Sequence, residues 1–208
     1  MSIKIVFLDV DGVLNCQSTR DSIWRGCIGL EDSKLKQLKR IISETDAWII
    51  LISSWKSGWS RIDKSTQGYE GTYLDKRLSD YGLSIRDKIV DVSYGSRGAS
   101  IKHWLNNYPD VVEQFVILDD EVFDYKECCL LPNLVQTCFY TDNGGLTEEH
   151  ADIAIDILNN GSHDYQIIPR NFTPCSECCY ISDCTEHESR DGCYFGEIKH
   201  QEKNNESI

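Results

Sequence analysis

Residues 3–15, Ile3-Lys4-Ile5-Val6-Phe7-Leu8-Asp9-Val10-Asp11-Gly12-Val13-Leu14-Asn15, carry the decisive signal in this chain. The first six are almost continuously apolar and rich in β-branched residues, which reads as a short strand buried on both faces, the habit of a parallel sheet. The run stops at Asp9. Two carboxylates then stand two residues apart where the strand opens into a loop. Residues i and i+2 share a face, so both converge on one place, and Gly12 lets the chain turn sharply afterwards.

The same grammar recurs outward from this stretch. Residues 31–44 place Leu35, Leu38, Ile41 and Ile42 at helical spacing. Residues 48–52 form a second apolar strand, closed by Ser53-Ser54, and 101–108 form a short helix ahead of Pro109. Residues 114–118 form a third strand ending in Asp119-Asp120, and 134–140 a fourth. A last helix runs from Thr147 to Leu158, with a capping residue and an acidic first turn. Strands alternating with helices predict an α/β fold, a Rossmann-like parallel sheet flanked by helices, with right-handed crossovers. In such sheets the ligand lies beyond the carboxyl ends of the strands, and Asp9, Ser53 and Asp119 stand at three of those ends.

Composition sets the limits. With 208 residues the chain has room for one α/β domain and a small appendage. Its 21 basic and 34 acidic residues give a net charge of −13, which argues against broad binding to duplex nucleic acid. A local groove of Lys56, Arg61, Lys64 and Arg86 would have Trp24, Trp55 and Trp59 as stacking surfaces, although such indoles more often belong to the core. No run of eighteen apolar residues occurs, and the opening residues lack the features of a secretory signal, so we expect no membrane association and a cytoplasmic protein.

Taken in order, Asp9-x-Asp11-Gly12-Val13, Ser53, Arg97 and Asp119-Asp120 resemble the four motifs of the haloacid dehalogenase (HAD) superfamily. Within it, the stretches Phe7 to Asn15, Ile52-Ser53-Ser54-Trp55-Lys56, Arg97 to Leu105, Ile117-Leu118-Asp119-Asp120 and Gly145-Leu146-Thr147 resemble the HAD domain of Swiss Army Knife RNA-repair proteins. The likeness covers residues 1 to about 160.

The resemblance implies a phosphatase, and the residue types suit that chemistry. A carboxylate at Asp9 attacks phosphorus and forms an aspartyl-phosphate. Asp9, the backbone carbonyl of Asp11, and Asp119 or Asp120 hold Mg²⁺, a hard cation that prefers oxygen. Asp11 is the acid/base that the family's phosphatases use to protonate the leaving group and then activate water; its presence favours phosphate esters over the superfamily's other substrates. Ser53 or Ser54 donates to the phosphoryl oxygens. Arg97 or Lys102 adds positive charge, and the family pattern of a basic residue just before this helix favours Arg97. A phospho-accepting receiver domain has the opposite order, with its acidic pair at the first strand.

Little sequence is left over for a cap, so the site is expected to be capless or covered by a small flap. That suits a phosphate at the end of an RNA or DNA chain. The alternatives are a small nucleotide or sugar phosphate, or a catalytically idle scaffold that recruits a partner through its tail.

The chain has ten cysteines, and five of them, Cys175, Cys178, Cys179, Cys184 and Cys193, crowd into the tail with His187. The spacing Cys175-x2-Cys178-x5-Cys184-x8-Cys193 suits Zn²⁺ or an iron–sulfur cluster, with Cys179 as the odd thiol. The expected organisation is a phosphatase domain over 1–168, a small Cys-rich metal-binding appendage over 169–198 and a disordered terminus over 199–208.

Overall fold

Period-two alternation divides β1 (Ile3–Leu8) between two cores: Ile5 and Phe7 face one, Val6 and Leu8 the other, all fully buried. The computed structural model describes residues 2–162 apart from 24, 25, 94, 110 and 142, together with 173–174 and 192–193. Around β1 lie β2 (Trp48–Leu51), β3 (Ile85–Lys88), β4 (Val112–Asp119) and β5 (Leu134–Gln136), in the order β3-β2-β1-β4-β5 with every pairing parallel. The connecting helices are α1 (Asp32–Thr45), α2 (Tyr69–Asp80), α3 (Arg97–Asn106) and α4 (Glu148–Asn160). The expected α/β sheet is therefore present.

The two faces are covered unequally. Val6, Leu8, Ile49, Leu51, Val116 and Leu118 pack against Leu35, Leu38 and Ile41 of α1, Leu74 and Leu78 of α2, and Ala151, Ala154 and Ile157 of α4. The opposite face, Ile5, Phe7, Ile50, Ile52 and Ile117, packs on Ile101 and Trp104 of α3, with Phe7 and Trp104 edge to face at 5.6 Å. Each such side chain contributes about 1.5–3 kcal/mol when fully buried, so the central strands anchor the domain.

Chain direction creates the site. From β1 the chain winds outward to β2 and β3, then crosses back through α3 to β4 on the other side of β1. The β1/β4 boundary is thus the point where strand order reverses, the place where open sheets leave a crevice.

Several boundaries differ from expectation, and three of them bear on the site. The helix expected at 101–108 begins at Arg97, because the Asp124 carboxylate accepts the Gly98 and Ala99 N–H groups at 2.6 and 3.0 Å and caps the helix from a distant loop. The strand expected over 134–140 stops at Gln136. Thr137 instead turns its hydroxyl onto the Gly12 carbonyl at 2.6 Å, and Gln17 N–H reaches the Phe139 carbonyl at 2.9 Å, so these residues buttress the Asp11-Gly12 loop. The strand expected over 48–52 ends at Leu51. Its successor Ile52 still donates its N–H to the Leu8 carbonyl at 2.9 Å.

The segment between Trp55 and Ser96 is taken up by short turns, α2 and β3 rather than a cap domain. Between β1 and α1 lies a small flap in which Ser22 and Ile28 form an antiparallel bridge. Its base is clamped to α2: Tyr73 hydrogen-bonds Asp21 and Leu30, and Arg77 pairs with Asp21 at 2.9 Å and Asp32 at 2.6 Å.

The chain divides into two compact units, Met1–Ile167 and Ile168–Ile208. In the second, β6 (Thr173–Pro174) pairs antiparallel with β7 (Gly192–Cys193). Trp24, Cys175, Cys178, Cys179, Cys184, His187 and residues 199–208 lie outside the described residues, as do the Zn²⁺ or iron–sulfur expectation and the boundary at 198/199. No described helix is long and apolar enough to cross a membrane.

Candidate active site

Beyond the carboxyl ends of β1 and β4, a cavity of about 850 Å³ is lined by Asp9, Asp11, Ser54, Trp55, Glu70, Arg97 and Asp120, among others. Asp9 follows β1 and remains tied to the sheet, its N–H donating to the Leu118 carbonyl at 2.9 Å. Asp119 is the last residue of β4, and Arg97 is the first of α3. One Arg97 nitrogen lies 2.7 Å from Asp119 Oδ2 and 3.3 Å from Asp9 Oδ1. Residues separated by 110 positions in sequence thus share a single guanidinium.

Gly12 makes the approach of Asp120 possible. Its φ is +75°, and a Cβ there would lie 2.2 Å from the Asp120 carboxyl carbon. The chain turns back in a left-handed conformation while a carboxylate occupies the space a side chain would need, and only glycine meets both demands.

Asp11 is held separately. Trp55 Nε1 donates to its Oδ2 and Asn15 Nδ2 to its Oδ1, both at 2.9 Å. Asn15 Oδ1 in turn accepts the Gly12 N–H at 3.0 Å.

The charge balance is unusual. Asp9, Asp119 and Asp120 each place a carboxylate oxygen within 4.8 Å of the others. Burial, then the neighbouring Asp119, raises the Asp9 carboxyl well above the ordinary carboxylate range, although Arg97 opposes this. Asp119 is raised by burial against the pull of Arg97 and Tyr125, and burial with Asp119 and Glu121 pushes Asp120 up to about 7. Burial disfavours the charge on Arg97, yet Asp119 and Asp9 hold its pKa above the ordinary arginine value. Three carboxylates against one guanidinium leave a surplus of two negative charges when all are ionised. An oxygen-only donor set with that surplus fits one hard divalent cation such as Mg²⁺.

The structure separates several residues that sequence left as alternatives. Ser54 lines the cavity, whereas Ser53 is buried and its hydroxyl accepts the Trp55 N–H at 3.3 Å. Lys102 is on an exposed face of α3 and does not line the cavity, whereas Arg97 does. The Asp11 carboxylate stands outside the acidic trio.

The local basic groove does not form. Lys56 pairs with Asp91 at 3.1 Å, Arg61 with Asp87 at 3.7 Å and Lys64 with Asp75 at 2.6 Å, while Arg86 stacks over Trp48. Trp55 and Trp59 are buried in the core, and Trp59 Nε1 donates to Asp75 at 2.8 Å.

Four supporting residues escaped sequence reasoning. Tyr125, fully buried, donates to Asp119 Oδ2 at 2.5 Å, and Phe123 lies 4.0 Å over the Arg97 guanidinium at a positive φ of 41°. Asn15 and the indole N–H of Trp55 complete the set. Only Asn15 had a local signal, an amide residue directly after a tight turn, where such side chains bond nearby backbone.

Comparison with known proteins gives the same frame. The family described as the HAD domain in Swiss Army Knife RNA repair proteins matches residues 5–151. Among solved structures, a HAD superfamily (subfamily III A) hydrolase from Legionella pneumophila is 16% identical, covering 76% of this chain and 85% of its own, with a TM-score of 0.42. The cobalt-bound deoxy-D-mannose-octulosonate 8-phosphate phosphatase of Haemophilus influenzae is 15% identical, covering 76% of this chain and 87% of its own, with a TM-score of 0.41. No curated protein matches the chain. The family match runs from within β1 into α4 and so encloses the acidic trio, Asp11 and Arg97; the chain belongs to this family of HAD domains.

Proposed function

We propose that the chain hydrolyses phosphate monoesters in two steps, with Asp9 as nucleophile and Asp11 as acid/base. The observation that carries the reading is the separation of roles among the carboxylates. Asp9 is joined to Arg97 and the acidic trio, while Asp11, on the same cavity wall, is held apart by two neutral donors.

Asp9 attacks phosphorus through a carboxylate oxygen as the ester P–O bond breaks, and Asp11 gives its proton to the departing oxygen. Water then attacks the aspartyl-phosphate, Asp11 takes its proton, and Asp9 is regenerated with release of phosphate. Arg97 orients Asp9 and places positive charge beside the transferring group. Ser53 or Ser54, at the end of β2, supplies a hydroxyl for the phosphoryl oxygens, and Ser54 is the one that lines the cavity. Asp9, Asp119 and Asp120 would hold Mg²⁺, which supplies positive charge that lets an anionic nucleophile meet an anionic phosphate. Hydrolysis of a generic aryl phosphate with and without Mg²⁺, compared with Asp9→Asn, tests the reading; activity surviving that substitution overturns it.

For the substrate, the family's description and the absence of a cap domain among the described residues support a terminal phosphate on RNA or DNA. A small nucleotide or sugar phosphate is favoured by a different observation: Glu70 and Glu121 add acidity to the cavity wall, which suits one phosphate better than a polyanion. Kinetics on 3′-phosphorylated oligonucleotides beside mononucleotides separates the two. Preference for the mononucleotide sinks the repair reading.

A further inference from the structure

Asp11 accepts one hydrogen bond on each carboxylate oxygen, and the nature of the two donors restricts what its proton can do. Trp55 Nε1, at 2.9 Å from Oδ2, is an indole nitrogen that donates and never accepts. Asn15 is more ambiguous in principle, because an amide presents an acceptor and a donor. Here its Oδ1 is committed to the Gly12 N–H at 3.0 Å, which turns its NH₂ group toward Asp11 Oδ1 at 2.9 Å. Neither partner can therefore take a proton from Asp11.

We infer that Trp55 and Asn15 are positioning residues that fix the Asp11 carboxyl in one orientation and leave the cavity as the sole outlet for its proton. This rests on the assignment of Asp11 as acid/base made above. With both oxygens engaged from the protein side by donors, the proton carried by the acid form passes to the leaving-group oxygen, and the ionised form recovers it from water in the second step. Both transfers occur at the same atoms and need no further co-reactant.

The two holders are themselves fixed. Asn15 is fully buried, and Trp55, only 8% exposed, packs in the core with its ring 6.3 Å from that of Tyr73. Trp55 also follows Ser53-Ser54 directly, so the turn that ends β2 carries the hydroxyls proposed for the phosphoryl group and the donor that orients the acid. Phosphoryl position and proton position are thereby linked through three consecutive residues.

General-acid assistance matters most when the leaving oxygen is strongly basic and little when it is stabilised. The test is kcat/KM, which reports the first phosphoryl transfer, for p-nitrophenyl phosphate, phenyl phosphate and glycerol phosphate with Mg²⁺ present. Trp55→Phe keeps a buried ring and deletes the N–H. Its loss on glycerol phosphate should exceed its loss on p-nitrophenyl phosphate by about tenfold, and Asp11→Asn should show the same trend more strongly, since such catalysis is worth about 10²–10⁴. If Trp55→Phe does not fold, 3-benzothienylalanine at position 55 replaces the N–H by sulfur at nearly constant shape and gives the same readout. A loss uniform across the three esters, or none, while Asp11→Asn retains the trend, overturns this inference alone. Absence of the trend in Asp11→Asn, or a wild-type protein inactive on all three esters, overturns the underlying assignment and this inference with it.

Discussion

The phenol of Tyr125 donates to Asp119 Oδ2 at 2.5 Å, on the same oxygen that Arg97 meets at 2.7 Å. A fully buried carboxylate is thus held by one neutral and one charged donor, and its other oxygen accepts the Glu121 N–H at 3.1 Å. Tyr125→Phe should lower stability by about 1–3 kcal/mol, the usual cost of removing a hydrogen bond to a buried charged group. It should also weaken Mg²⁺ binding roughly tenfold, because partners of a ligating carboxylate tune its affinity. Urea unfolding and the Mg²⁺ dependence of hydrolysis measure the two effects; unchanged Mg²⁺ dependence would detach Tyr125 from the metal site.

Arg97→Met should abolish hydrolysis and lower stability in the absence of divalent cation by about 3–5 kcal/mol, since it strands buried carboxylates without their counter-charge. Part of the lost stability should return on adding Mg²⁺, which replaces positive charge near the same trio. Chemical unfolding with and without the ion decides this. Equal recovery by wild type and variant counts against charge compensation.

The acidic trio should make the metal-free protein less stable as pH rises. In the folded chain Asp120 keeps its proton up to about 7, and Asp9 and Asp119 are raised too, whereas an unfolded aspartate titrates near 3.9. Between those values the folded state binds more protons than the unfolded state. Stability in chelator should therefore fall from about pH 4 to about pH 7. Added Mg²⁺ should raise the melting temperature more at pH 7.5 than at pH 5, where protons compete for the same oxygens. Equal Mg²⁺ stabilisation at both values would contradict the proposed ligands.

Gly12→Ala should disable the site more than it disturbs the fold. The left-handed backbone costs about 1–2 kcal/mol for any residue with a Cβ, and that Cβ would collide with the Asp120 carboxyl carbon at 2.2 Å. A folded variant with sharply weakened Mg²⁺ dependence is the expected result. Retention of wild-type Mg²⁺ affinity would remove Asp120 from the metal site.

Much of this arrangement is legible in sequence because it is local. The apolar run Ile3 to Leu8 declares a two-faced strand, and Asp9, Asp11 and Gly12 follow at spacings a strand end must present to one side. The Asp119-Asp120 pair closes another such strand, and the order of these motifs carries the family resemblance.

What sequence leaves open concerns the partners of those groups. The alternation of apolar residues determined a parallel α/β sheet and placed the carboxylates at its strand ends. Only the tertiary structure decided that Arg97 serves both Asp9 and Asp119, that Lys102 faces away, that Lys56, Arg61 and Lys64 are neutralised, and that Trp55 holds Asp11. The physical reason is that strand periodicity is written within a few consecutive residues. Hydrogen bonds and ion pairs act over about 3–4 Å, so their partners are chosen by how the elements pack, and no local pattern encodes that.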